Sequence, residues 1–364
     1  FIDVNKEFIL KNSKLKNIKP GDTVTLKKLM HSVVESGEIK IIPERFEKIY
    51  FHWIDNLRDW CISRQIWYGH QMPVWYKGEE IFVGIDAPTG DDWQQDSDTL
   101  DTWFSSGLWT FSTLGWPEQT ADLKDFHPTS VMETGYDILF FWVARMILMT
   151  TYFLGEIPFE TVYLHGLVRD KDRQKMSKSA GNAVDPLHII QEQGADALRM
   201  AMLFGTGQGN DVAMGPDKVV GQRKFANKIW NASKFVMMNL DENTSSLDSS
   251  KLSFNSDDKA IQDKFTAAAK SITDNIDKFM FHEAAQEVYQ FFWHEFCDIY
   301  LEQTKDRLSG EDESAKHAAQ YTLYQILLGS LKLLHPFMPF ITEVIYQELP
   351  GKQKNMLIIE NWPI

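Results

Sequence analysis

The spacing of apolar positions changes period several times along this chain. Leu26, Leu29, Met30, Val33 and Val34 recur at helical steps, and Ser36-Gly37 predicts where that helix stops. Ile39 to Ile42 reads as a short strand. After Pro43 the helical period returns in Phe46, Ile49, Tyr50, Trp53, Ile54 and Leu57. Val74 to Tyr76 and Glu80 to Val83, joined by Lys77-Gly78-Glu79, predict a hairpin. From Ile138 to about Tyr152 the sequence is apolar on nearly every side, which predicts a buried helix. Thr161-Val-Tyr-Leu-His-Gly-Leu-Val168 is rich in β-branched and aromatic residues and predicts a buried strand. A helix over Gly194 to Phe204 ends at the Gly205-Thr-Gly-Gln-Gly209 turn.

Beyond Gln222 only helical periods remain. Phe225, Ile229 and Val236 form one apolar stripe, Leu240 to Asp258 is a polar loop, and two further helices follow. One runs through Ala284, Val288, Phe292 and Ile299, the other through Tyr321, Tyr324, Leu328 and Leu331. Pro336 and Pro339 separate the second of these from a short last helix through Ile341, Val344 and Ile345. Strand and helix alternate first and helices alone follow, so the expected class is α/β followed by an all-α bundle. The change falls within Asn210 to Gly221. Phe1 to Gly21 is polar and Lys-rich, and no element is predicted there.

Composition narrows the classes. The 364 residues are 43% hydrophobic and 13% aromatic, enough for two substantial cores. No apolar run is expected to reach the roughly 18 residues of a membrane helix, because Arg145 interrupts the densest one. Two cysteines, Cys61 and Cys297, supply neither a disulfide framework nor a zinc site of four cysteines, so a reducing, cytoplasmic setting is expected. The chain does not begin with Met and carries no signal peptide, which suggests an excised fragment. A net charge of −14 argues against indiscriminate nucleic-acid binding but leaves room for local basic patches.

The candidate chemistry gathers in Arg169-Asp-Lys-Asp-Arg-Gln-Lys-Met-Ser-Lys-Ser179, a cationic loop at a strand end, where open α/β sheets place ligands. A solvated basic loop is the bland alternative. The specified run Lys175-Met-Ser-Lys-Ser179 would arise by chance on the order of once in ten thousand chains of this length. Ala180-Gly181-Asn182 forms a turn after it, and Asp185-Pro186 opens a helix. Glu133 and Asp137 flank Gly135 at a strand-to-helix transition that could face a ligand; for Asp137 a helix cap is the other reading, and both can hold. Arg64 and His70 are either substrate contacts or partners of buried carbonyls. Asp96, Asp98 and Asp101 lack the glycine and glutamate of a calcium loop, so turn and capping roles are expected. Arg223, Asn227, Trp230 and Lys234, with Lys224 and Lys228 beside them, make either a tRNA-contacting face or an ordinary solvated one.

These segments resemble the class I aminoacyl-tRNA synthetases of the valine, isoleucine and leucine group. The resemblance rests on Ile42-Pro-Glu-Arg-Phe-Glu-Lys48, Arg58-Asp-Trp-Cys-Ile-Ser-Arg-Gln65, Leu100-Asp-Thr-Trp-Phe-Ser-Ser106, Glu133-Thr-Gly-Tyr-Asp-Ile138, the Lys175–Ser179 signature and His335-Pro-Phe-Met-Pro-Phe-Ile-Thr342. Gly69-His70 with Pro73, and Thr102 to Ser106, look like the valine branch, with the isoleucine branch as the alternative. The resemblance implies a Rossmann-like catalytic domain with an inserted editing region and a helical anticodon-binding domain. On that pattern residues 1–38 end the insertion, 39–215 form the second half of the catalytic domain, and 216–364 bind the anticodon. It also implies ATP with Mg2+ as substrate, valine and its tRNA as partners, a monomer, and no DNA, membrane or protein-bound zinc.

By the same pattern Lys175 and Lys178 are catalytic, and Lys178, Ser177, Ser179, His165, Gly166, Thr134 and Gly135 contact ATP or the adenylate. Trp103, Asp137 and Ile138 would hold the amino acid, with Asp137 pairing with its ammonium group. Two departures stand out. Arg173 and Gln174 replace the usual glycine and basic residue before the signature. The His-x-Gly-His motif of the first half of the fold is absent, because Trp67-Tyr68 precedes Gly69-His70. This chain alone is therefore expected to be inactive, and a non-catalytic tRNA-binding fragment is the competing reading.

Overall fold

A computed structural model describes residues 1–176, 181–183 and 185–363. The chain forms two compact units, Phe1–His165 and Gly166–Ile364. The division falls earlier than the change of composition near residue 215.

In the first unit the strands are β1 (Phe8–Ile9), β2 (Thr23–Val24), β3 (Lys40–Ile42), β4 (Ser63–Arg64), β5 (Val74–Lys77), β6 (Glu80–Val83), β7 (Gln94–Gln95), β8 (Thr99–Leu100), β9 (Thr129–Gly135) and β10 (Phe159–His165). Its helices are α1 (Leu26–Glu35), α2 (Arg45–Asp55), α3 (Thr102–Gly107), α4 (Trp109–Ser112), α5 (Ala121–Phe126) and α6 (Ala144–Phe153). The central sheet is parallel with order β3-β10-β9, and Val162 pairs with Ile41 on one side and Met132 on the other. Thr25 caps α1 through the backbone amide of Lys28, and Gly37, at φ 70°, ends it as expected. The predicted hairpin is β5–β6, pairing Lys77 with Glu80. On α2 the inward face is narrower than its apolar spacing suggests. Phe46, Tyr50 and Ile54 are buried while Ile49 and Trp53 are exposed.

The core joins these pieces. Leu29, Met30, Val33, Ile39, Phe111, Met146, Ile147 and Phe159 are wholly buried in one cluster. The unpredicted first residues contribute too, since Val4, Leu10, Leu15 and Ile18 are buried. The run expected to be one buried helix is helical from Tyr136, as a 3-10 turn, a π-helical turn over Leu139–Val143, and then α6. This corrects the expectation that no apolar run reaches membrane length: Tyr136–Phe153 has the length and apolarity to cross a membrane. The early start of the helix adds residues, and two charged ones, Asp137 and Arg145, are too few to spoil the average. Arg145 lies within the core, its guanidinium 3.9 Å from the Trp60 ring centroid, and burial pushes its pKa down to about 10.

The second unit begins where the expected strand over residues 161–168 breaks. Its strands are β11 (Val168–Arg169) and β12 (Val212–Ala213), paired in parallel with each other. A Cβ on Gly166 would lie 2.0 Å from the carbonyl oxygen of Asn210. That close backbone approach explains the break. The helices are α7 (Pro186–Gln193), α8 (Ala195–Leu203), α9 (Pro216–Met238), α10 (Ser256–Asp277), α11 (Phe281–Gln290), α12 (Leu301–Leu308), α13 (Glu313–Leu334) and α14 (Pro339–Glu348). Asp185 caps α7 as predicted. The long helix α9 starts already at Pro216, inside the stretch read as a boundary. Leu240 to Asp258 is mostly irregular, but its end carries the Asn255–Asp258 capping box of α10, a helix that apolar spacing did not reveal. Between α11 and α12 the backbone runs as a π-helix over Phe291–Tyr300. Phe225, Ile229, Val236, Val288, Phe292, Phe296, Leu327 and Leu331 form the buried centre of this bundle.

Candidate functional site

In the first unit the site residues collect at the carboxyl ends of parallel strands. Glu133, Thr134 and Gly135 of β9 stand opposite Tyr163, Leu164 and His165 of β10. The Nε2 atom of His165 lies 3.2 Å from Oε1 of Glu133, and both side chains are about half exposed. Thr134 and Gly135 are buried, and the chain then turns in a single 3-10 loop, Tyr136–Ile138. Gly135, not Asp137, occupies the cap position of that turn, and with no side chain it makes no capping bond. The capping reading of Asp137 is thereby corrected: the residue lies within the turn, exposed. An exposed carboxylate at a strand end is free to meet a cation.

Trp103 reaches the same neighbourhood from α3. Asp101 caps that helix, accepting from the backbone amide of Trp103 at 2.9 Å. The Trp103 ring stacks on Phe141, centroids 6.1 Å apart, and Trp142 Nε1 donates to the Ser106 carbonyl at 3.0 Å. These two ties hold α3 against the π-helical turn that follows Asp137 and Ile138. Aromatic faces and a nearby carboxylate suit a small ligand with an apolar side chain and an ammonium group.

The neighbours of this site have structural duties. Arg64 donates to the carbonyls of Cys61 and Ser63, at 2.7 and 2.8 Å, and pairs with Asp101. Its reading as a partner of backbone carbonyls holds. His70 Nδ1 is 3.2 Å from Ser105 Oγ, and the His70 carbonyl accepts from Leu100. Asp96 closes a turn by accepting from the Asp98 amide at 2.9 Å. Thus Asp96 and Asp101 perform the turn and capping roles expected of them.

In the second unit the described part of the cationic loop is a tight turn. Asp170 is its hub: Oδ1 accepts from the amides of Asp172 and Gln174, at 3.0 and 2.7 Å, and Oδ2 accepts from Asn182 Nδ2 at 2.9 Å. Those bonds, Asn182 foremost and then Gln174, hold the Asp170 carboxyl below the usual carboxylate range. Asn182 Nδ2 also reaches the Lys175 carbonyl at 3.2 Å. The Lys175 side chain is exposed, while Met176 packs against Ala197, Ala201, Met214 and Val219. Ser177, Lys178 and Ser179 lie outside the described residues. Gly166 supplies the close approach to Asn210, beside which Asp211 accepts from the Leu167 amide at 2.8 Å and pairs with Arg169. Asp170 and Asn182 were not picked out from the sequence; their position on either side of the lysine signature was the available signal.

On α9 the outward face is as expected. Arg223, Lys224, Asn227, Trp230 and Lys234 are exposed. Two of its cations are partly engaged: Lys228 Nζ pairs with Asp298 at 2.8 Å, and Arg223 donates to Gln193 at 3.3 Å. Among the described residues no group of three or more His, Cys, Asp or Glu could hold a metal ion.

The family model of tRNA synthetases class I (I, L, M and V) matches residues 5–89 and 85–215. The anticodon-binding domain of tRNA ligase matches residues 258–364. A valine–tRNA ligase of Clostridium acetobutylicum is 50% identical over 338 residues, covering 91% of this chain and 38% of the relative. The valine–tRNA ligase of Bacillus subtilis is 48% identical over 332 residues, with 90% and 37% covered. The chain thus spans somewhat over a third of the length of these relatives. Among solved structures, a LeuRS–tRNA–LeuAMS complex of Agrobacterium radiobacter matches with a TM-score of 0.69 at 20% identity, covering 88% of this chain and 46% of that one. Methionyl-tRNA synthetase of Mycobacterium tuberculosis with methionyl-adenylate gives 0.68 at 18% identity, covering 93% and 66%. At those identities the likeness concerns the fold. With the class I model matching residues 5–89 and 85–215 and the anticodon-binding model following over 258–364, the chain belongs to the class I tRNA synthetases of the isoleucine, leucine, methionine and valine group.

Proposed function

We propose that the protein carrying this chain is a valine–tRNA ligase. The observation that carries the reading is 50% identity to valine–tRNA ligases over 91% of the chain. A local feature supports it. His70 and Ser105, which lie in the two segments resembling the valine branch, are joined by a hydrogen bond two residues from Trp103.

In this reading a valine carboxylate oxygen attacks the α-phosphorus of ATP, whose phosphates carry Mg2+. The bond to the bridging oxygen breaks, pyrophosphate leaves with that electron pair, and valyl-adenylate forms. A terminal ribose hydroxyl of the tRNA then attacks the valyl carbonyl, loses its proton, and displaces AMP. Little covalent chemistry falls to the protein, so positioning and charge stabilisation dominate. Asp137 pairs with the valine ammonium group, and Trp103 and Ile138 border its side chain. Thr134, Gly135, His165 and Gly166 attend the adenylate. Lys178, assisted by Lys175, Ser177 and Ser179, offsets charge on the departing pyrophosphate, which counts most in the transition state. The exposed face of α9, with Lys224, Asn227, Trp230 and Lys234, meets the tRNA, aided by Arg223 and Lys228. The chain alone does not form adenylate, since it lacks the His-x-Gly-His motif.

The test is ATP–pyrophosphate exchange by the full-length protein. Valine should support it at least about tenfold better than isoleucine, a discrimination of the size one methylene gives. Exchange that prefers isoleucine, or none with any amino acid, rejects the reading. In the same assay Lys178→Ala should lower kcat far more than it raises the KM for ATP.

A further inference from the structure

The lysine signature is anchored at both ends by one polar knot. Ahead of it the backbone makes a narrow hairpin: Arg173 N donates to the Asp170 carbonyl at 2.9 Å, and Asp170 N donates to the Gln174 carbonyl at 3.1 Å. Arg169 and Lys175 face each other as an antiparallel bridge. To close this turn Arg173 takes φ 61°, a left-handed conformation that favours glycine. So the site of the missing family glycine keeps a glycine-like backbone, which must be held by its surroundings. The Asp170 carboxylate does part of that holding through the amides of Asp172 and Gln174.

Its remaining oxygen reaches across the signature. Asn182 Nδ2 is shared between Asp170 Oδ2, at 2.9 Å, and the Lys175 carbonyl, at 3.2 Å. One amide therefore ties the residue where the chain enters the signature to the turn before it, from beyond the signature's far end. Met176 adds an independent apolar anchor among Ala197, Ala201, Met214 and Val219.

We propose that Asp170 and Asn182 are positioning residues, a clasp that fixes where the chain leaves Lys175 and where it returns. The inference rests on the functional reading above, because it assigns the clasp to the ATP-activation step. A chain tied at this point explores fewer conformations than an untied one, so Lys175 spends more time where the reaction needs it. The clasp touches no substrate. Its loss should therefore appear as slower chemistry and a looser Asp170–Lys175 turn, with the protein otherwise folded.

The experiment uses the full-length protein and four variants: Asp170→Ala, Asn182→Ala, Asn182→Asp, and the exchange Asp170→Asn with Asn182→Asp. The exchange restores a donor opposite an acceptor between positions 170 and 182. Two readouts are taken, exchange kinetics with valine and the rate of tryptic cleavage after Lys171, Arg173 and Lys175. We expect each single variant to lower kcat by about 10- to 100-fold with the KM for ATP changed far less, and to speed cleavage at these bonds. Asn182→Asp places two carboxylates face to face and should be the worst; the exchange should recover much of that loss. Thermal midpoints are measured alongside. Should Asp170→Ala lower its midpoint, Asn182→Ala, which removes the amide bridging Asp170 and Lys175, must show both effects by itself. Unaltered kcat and cleavage in the single variants overturns the clasp, as does an exchange variant no better than Asn182→Asp. Absence of valine-dependent exchange in the unaltered protein overturns the functional reading instead, and the cleavage rates then decide the clasp.

Discussion

Arg307 grips Asp258 with two nitrogens, at 2.7 and 2.8 Å, and Tyr300 donates its hydroxyl to the same carboxylate at 2.6 Å. The carboxylate is fully buried at the start of α10, while the guanidinium comes from the end of α12. The trio ties the start of α10 to the end of the π-helical stretch and to α12, passing over α11. Removing one partner strands a buried charge, so Arg307→Ala should cost about 3 kcal/mol in urea unfolding.

The same carboxylate sets a pH dependence. Burial alone would push the Asp258 pKa up, but the bonds from Arg307 and Tyr300 outweigh it and hold the group below its ordinary value. A carboxyl lowered by folding adds stability that is complete above its unfolded pKa, about 3.9. That stability is lost as pH falls from there through the folded value. Asp258→Asn should therefore lower the thermal midpoint at pH 7 and lose less than the parent between about pH 4 and pH 2. Equal losses over that range would show the pair to be energetically silent.

Two glycines should respond oppositely to alanine. At Gly166 a Cβ would meet the Asn210 carbonyl at 2.0 Å, whereas at Gly221, inside α9, it would meet nothing within 4 Å. Gly166→Ala is expected to cost about 2 kcal/mol or more through forced backbone shifts. Gly221→Ala should gain about 0.5–1 kcal/mol. Chemical denaturation of the two variants side by side checks both signs.

Truncation in the bundle core should be costly. Phe292 is fully buried between Phe225 and Phe296, with centroids 6.2 and 5.4 Å away. Phe292→Ala should lose about 3–5 kcal/mol, read as a lower urea midpoint.

If α9 meets a tRNA backbone, its exposed lysines should show in the salt dependence of binding. Lys224→Ala and Lys234→Ala should each flatten the slope of log affinity against log salt by about one unit. Lys228→Ala should flatten it less, because Asp298 already neutralises that cation. Filter binding of valine tRNA from 50 to 200 mM salt measures this.

Much of this molecule is legible in the sequence. Helical spacing found α1, α2 and the apolar stripe of α9, and turn residues found the β5–β6 hairpin, because each signal is local. The failures have physical causes. Helix α10 is rich in Asp and Lys, and its inward residues Ile261, Ala268, Ala269 and Ile272 are too sparse and small to stand out. Phe1 to Gly21 has a similar problem, burying widely spaced residues without regular structure. At the site, identities marked the strand end and the lysine loop, and the structure brings Glu133, Thr134 and His165 together. What spacing could not show were long-range ties such as Asp101 with Arg64, or Asp170 with Asn182.

Helix α9 also acts as a ruler. Near its start Val219 belongs to the cluster that seats Met176, and further along the same helix Trp230 projects outward. At 1.5 Å per residue the two positions are about 16 Å apart along one continuous rod. The root of the lysine loop and the basic face are therefore graduations on one scale, whose spacing is set by helical rise and survives any change of side chain that leaves the helix intact.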